Sequence, residues 1–150
     1  MEAECLIEAT RDALAHSAGV PEIVAEAWQA QALAEAVGSH LATWGPPELR
    51  AAASELSEAG SRGRGSHRRP PVQVVRAERM TAIKDPQHTL QALRGLLGES
   101  GVALVRVAAT AEEDTLYWQC MEAIDAADVS GDQVTGLLRR LAERERHTAA

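Results

Sequence analysis

The chain has 150 residues, enough for a single domain that buries about 68–70% of its unfolded surface without a metal or disulfide staple. A formal net charge of −7 disfavours nucleic acid or an anionic membrane as the ligand of the whole surface. Twenty-nine alanines, one tyrosine and no phenylalanine disfavour a β-rich fold, because alanine is the strongest helix former and a poor strand former.

The charge is unevenly spread. Residues 1–59 carry ten acids and two bases, residues 60–84 one acid and seven bases, and residues 85–150 eleven acids and six bases. Arginine outnumbers lysine fourteen to one, a bias expected of a GC-rich genome rather than of a binding role, since the two are similar helix formers. Cys5 and Cys120 have neither CxxC spacing nor a histidine at metal-ligand distance, and each lies on an apolar helical pattern, so both are expected to be buried free thiols. The first twelve residues lack a basic stretch followed by an apolar run, so a cytoplasmic protein is expected rather than a membrane or secreted one.

In chain order, a first helix is expected over residues 2–16, with Leu6, Ile7, Thr10, Ala13 and Leu14 inward and Gly19 to Pro21 closing it. A second starts at Pro21, which tolerates the first turn, and runs to about Thr43. Ile23, Ala27, Ala30, Ala34, Val37 and Leu41 form its stripe, and Val24, Trp28 and Leu33 widen it, as expected of a helix in the middle of a bundle. Gly45, able to form a left-handed cap, and Pro46 stop it. Trp28 and Trp44, sixteen positions apart, point about 160° away from each other and form no shared cage.

A third helix is expected over residues 47–59, ending at Gly60. Residues 60–71, GSRGRGSHRRPP, then read as a flexible basic loop: a connector, a grip on anions through Arg62, Arg64, Arg68 and Arg69, or a segment whose arginines pair with the acidic helices. No aromatic interleaves these arginines to stack on bases, so nucleic acid is an unfavoured partner. Residues 74–83 lean towards a short helix, although VQVV also fits a strand.

Asp85 followed by Pro86 is a strong helix start. Leu90, Leu93, Leu97, Gly101, Leu104 and Ala108 keep helical spacing, against about 3 kcal/mol for Gly95, Gly98 and Gly101 relative to alanines. The run 102–107, VALVRV, is read as helix rather than strand because a convincing partner strand is missing. Thr110 with Glu113 has the capping-box pattern and predicts a core helix over residues 110–129, with Leu116, Tyr117, Cys120, Met121, Ile124 and Ala127 inward. Ser130 to Gln133 repeats the pattern and predicts a sixth helix carrying Val134, Leu137, Leu138 and Leu141.

Catalytic signatures are missing: the chain has no GxxxxGK[ST], HExxH or GxSxG, and no Glu-x-x-His pair for a carboxylate metal site. Glu122, Asp125 and Asp128 could bridge a cation but read as a solvated face. Trp118 and Cys120 mark a possible small-molecule pocket, with no base or cation nearby to activate the thiol.

Two stretches, WQAQALAEAVGSHLATWGPPELRAAASELSEAG (28–60) and LYWQCMEAIDAADVSGDQVTGLLRRLAERER (116–146), resemble a family of small helical proteins of high-GC actinobacteria described as a domain of unknown function. The resemblance implies a bacterial cytosolic helical domain and supplies no catalytic residue. The expectation is an all-α, single-domain bundle of about six helices over residues 1–150, with no cofactor or metal. Its expected role is that of a non-enzymatic module binding a protein partner or its own copies. Anion or nucleic-acid binding through the arginine loop, or a small-molecule site, is the alternative.

Overall fold

The computed structural model describes residues 1–65, 70–72 and 74–149. Among them are five α-helices: α1 Ala3–Ala15, α2 Val20–Trp44, α3 Arg50–Gly65, α4 Pro86–Thr110 and α5 Asp114–Ala149. Two 3-10 turns, Pro47–Leu49 and Arg76–Arg79, complete the regular structure. The all-α bundle is as expected, with five helices in place of six.

Helix α2 is the axis of the bundle and touches each of the other four. Eight consecutive residues, 27–34, are buried, so both its stripe and its flanks face protein. Small side chains let α3 come close. A Cβ on Gly38 would lie 2.5 Å from the Ser57 nitrogen and 2.7 Å from the Ala53 oxygen, and one on Gly60 would lie 2.5 Å from the Glu35 nitrogen. Backbone therefore meets backbone, at the short end of helix-packing distances. The same contact corrects the expected end of the third helix. Gly60 and Gly63 look like breakers, but they continue α3 to Gly65 because their missing side chains make room for Gln31 and Glu35 of α2. Residues 60–65 of the expected loop are thus helical, and Arg68 and Arg69 lie outside the described residues.

Helix α2 stops without a left-handed cap. Gly45 is extended, with φ −75° and ψ 174°, as the residue before a proline prefers, and Pro46 rather than the glycine sets the stop. Helix α4 starts as expected, with the Asp85 carboxylate accepting from Gln87 N and His88 N at 3.1 and 3.3 Å. It runs unbroken through residues 102–107, which are helical.

The segment before α4 is not the expected helix. Apart from its 3-10 turn it is extended, because its backbone groups are claimed from elsewhere. Buried Gln29 donates to Val74 O at 2.6 Å and accepts from Arg76 N at 3.0 Å. Met1 and Ala3 bond Arg79 O and Ala82 O, and a parallel bridge joins Glu2 to Ala82. Arg76 reaches Glu26 and Thr10.

Both expected capping boxes are corrected. Thr110 is the last residue of α4, and its hydroxyl donates back to Arg106 O at 3.3 Å; α5 begins at Asp114. Ser130 and Gly131 lie inside α5, so the fifth and sixth expected helices are one of 36 residues. The Ser130 hydroxyl is fully buried and donates to Gln31 Oε1 of α2 at 2.8 Å, a tertiary bond in place of a cap. The core lies on the second half of α5, at Val134, Leu137 and Leu141. Its first half, expected to be the core helix, is peripheral, with Tyr117 and Trp118 exposed.

Candidate functional site

The arginines expected to grip an anion are only partly available. Arg62 and Arg64 occupy the last turn of α3, where positive charge suits the helix terminus. Arg62 is exposed. Arg64 is committed to a fork on Glu35 of α2, Nε to Oε2 at 2.7 Å and Nη2 to Oε1 at 3.0 Å, and its guanidinium sits 5.8 Å from the Trp28 ring centre. The hydrogen bonds to Glu35 hold its pKa above the ordinary arginine value, against a smaller opposing effect of burial. The Trp28 indole N–H donates to the Arg64 carbonyl at 3.1 Å, tying the end of α3 to α2.

Trp118 and Cys120 separate. Trp118 is 63% exposed and stacks edge-on against Tyr117, with ring centres 5.3 Å apart. Cys120 turns inward and lines a cavity with Ala27, Trp28, Gln31, Ser100 and Leu104. Burial pushes its thiol pKa up, which suppresses the thiolate and any nucleophilic role. Cys5, in contrast to its expected burial, is exposed. The cavity measures about 70 Å³. That is roughly half of a cavity that accepts benzene, hence room for about three heavy atoms. At a ceiling of about 1.5 kcal/mol per atom, such a ligand binds no tighter than about millimolar. A cavity of this volume suits only a very small ligand. Among the described residues no cluster of three or more metal-ligating side chains occurs, and no helix is long and apolar enough to cross a membrane.

A feature that folding does not explain lies on α4 and α5. The outer side of α4 carries Arg94, Gly98, Val102, Val105 and Arg106, with Val102 and Val105 each more than half exposed. Between α4 and α5 runs a groove of about 640 Å³, floored by Gly98, Gly101 and Gly131 and edged by Asp128 and Asp132. A Cβ on Gly98 or Gly131 would touch nothing within 4 Å, so these glycines, unlike Gly38 and Gly60, face open space. A second groove of about 820 Å³ follows the other side of the same α4 ridge, against α1. The sequence contained a signal for this surface. VALVRV is apolar around most of the helix, although one side, Leu104, Val107 and Ala108, is sufficient for the core.

The model of a family of unknown function, DUF6099, matches residues 1–140. The chain belongs to DUF6099. No curated protein and no solved structure matches it. The DUF6099 match spans all five helices, with the α4–α5 groove inside it, and stops beside Leu141, the last buried residue of α5.

Proposed function

We propose that this protein is a non-enzymatic interaction module, one helical domain that binds a protein partner or its own copies through the outer face of α4 and its groove with α5. The observation supporting this reading is the pair Val102 and Val105, 54% and 51% exposed above a glycine floor. Clustered exposed apolar side chains of this kind mark surfaces that are covered in use. A cytoplasmic setting fits two free cysteines, one of them exposed, because a reducing compartment keeps such thiols unpaired. An actinobacterial source fits the arginine bias.

A photo-crosslinking residue placed at Val105, and as a control at exposed Glu55 on α3, tests the reading in living cells. A discrete adduct is expected from position 105 and not from position 55. No adduct, or the same smear from both positions, would sink it. The alternative of anion binding through Arg62, Arg64, Arg68 and Arg69 is weakened at Arg64, whose fork is filled by Glu35.

A further inference from the structure

We infer that the occupant of this face is a second copy of the chain, related by a two-fold axis parallel to the helices, so that α4 of each copy lies across α5 of the other. The inference rests on the interaction reading above and names its partner.

Charge decides the arrangement. Helices α4 and α5 are joined by three residues and run antiparallel, with a Gly101 Cβ falling 4.0 Å from that of Ala127. Because both rise about 1.5 Å per residue, Arg94 is level with Val134, and Arg106 with Glu122. Between those levels Asp125, Asp128 and Asp132 recur at spacings of three and four along one exposed side of α5. Among the described residues neither these two arginines nor these three aspartates form an ion pair within the chain.

Two such hairpins can meet face to face in two symmetric ways. An axis across the helices at the level of residue 100, the middle of the groove, lays α4 on α4 and α5 on α5, setting arginine against arginine and aspartate against aspartate. An axis along the helices keeps every residue at its own level and lays α4 on α5. Arg94 then meets Asp132, and Arg106 meets Asp125, each twice. Like charges are avoided only in the second arrangement. The same register sets the exposed ring of Trp118 over the last turn of the partner's α4, beside Ala109 and below Val105. Two helices about 37 Å long, at 8–10 Å between axes, offer roughly 700 Å² per copy, close to the ~800 Å² of a standard interface.

Sedimentation of the purified full chain between about 5 and 200 µM tests the inference. The wild type is expected to move from its monomer mass of 16.0 kDa towards twice that mass. Replacing both arginines (Arg94→Asp with Arg106→Asp) should keep it monomeric, and so should reversing the acids (Asp125→Arg with Asp132→Arg). Equal mixing of the two variants, or all four changes in one chain, should restore the dimer, and this recovery excludes misfolding as the cause of the loss. A wild type that stays monomeric throughout, or a dimer indifferent to both reversals, overturns the inference. An adduct from position 105 whose mass is not that of two copies overturns it as well and leaves the interaction reading standing; no adduct sinks both.

Discussion

Replacing Gly38 with alanine should destabilise the protein, while the same change at Gly136 should stabilise it. Both glycines lie inside helices, so each substitution gains about 0.8–1.0 kcal/mol of helix propensity. What differs is the space. At Gly38 the new methyl would sit 2.5 Å from the Ser57 nitrogen and 2.7 Å from the Ala53 oxygen, where ordinary contact begins at 3.4 Å. Both are backbone atoms of α3 and cannot rotate aside, so the two helices must part locally by roughly 0.9 Å. Overpacking of this kind costs about 1–3 kcal/mol, and rigid neighbours put it in the upper part of that range. The net result is a loss of about 1–2 kcal/mol. At Gly136 nothing lies within 4 Å, and the propensity gain stands alone. The two variants should therefore differ by about 2–3 kcal/mol in urea unfolding followed by circular dichroism at matched protein concentration. For a domain of this size each kcal/mol corresponds to about 2–4 °C in Tm. If Gly38→Ala gains as much as Gly136→Ala, the close α2–α3 approach is wrong, and with it the reason α3 continues past Gly60.

Gly131→Pro separates one long α5 from two capped helices. At the first position of a new helix proline is tolerated, whereas inside a continuous helix it removes a hydrogen bond and strikes the carbonyl four residues back, so a loss of at least about 3 kcal/mol is expected in chemical unfolding. A proline variant as stable as the wild type would restore the two-helix reading. The cysteines should label in sequence at pH 8.5. Exposed Cys5 reacts promptly with iodoacetamide, and Cys120, 1% exposed with its pKa raised by burial, stays a protonated thiol until the protein is unfolded. Two labels arriving at one rate by mass spectrometry would contradict the placement of α5.

The features legible in the sequence are those that local chemistry controls. The Asp85 cap, the proline at position 86 and the stripes of α1 and α2 act within a turn or two, and each gives an element close to its expected bounds. Three of the misreadings share one cause, a local motif whose groups are used at long range. Ser130 has the look of a cap, but its hydroxyl goes to Gln31, ninety-nine positions away. Gly60 has the look of a breaker, yet it is the surface on which α2 rests. Residues 74–83 could form a helix if Gln29 and the chain start did not take their backbone groups first. The site was half legible. The sequence set Trp118 and Cys120 in one pocket, although they are only two residues, about 200°, apart on a helix and face opposite ways. Val102 and Val105 stood in plain view but without a reason to be exposed.

That reason follows from the size of the core residues. A bundle whose central helix presents Ala27, Ala30, Ala34 and Gly38 closes too tightly to admit many large rings; Trp28 fits only at the edge, and Trp44, Tyr117 and Trp118 are left outside. Apolar area left outside is available to a partner, and its worth can be bounded. The exposed 63% of Trp118 amounts to about 95–160 Å² of a ring that buries 150–250 Å², or at most about 2–4 kcal/mol when covered. A two-fold axis doubles this to about 5–8 kcal/mol, which only offsets an association cost of about 4–15 kcal/mol. The aromatics therefore balance the lost freedom, and the valines and the Arg–Asp rows decide whether two copies stay together. Such an interface is reversible and salt-sensitive, and reversing two charges on either helix is enough to open it.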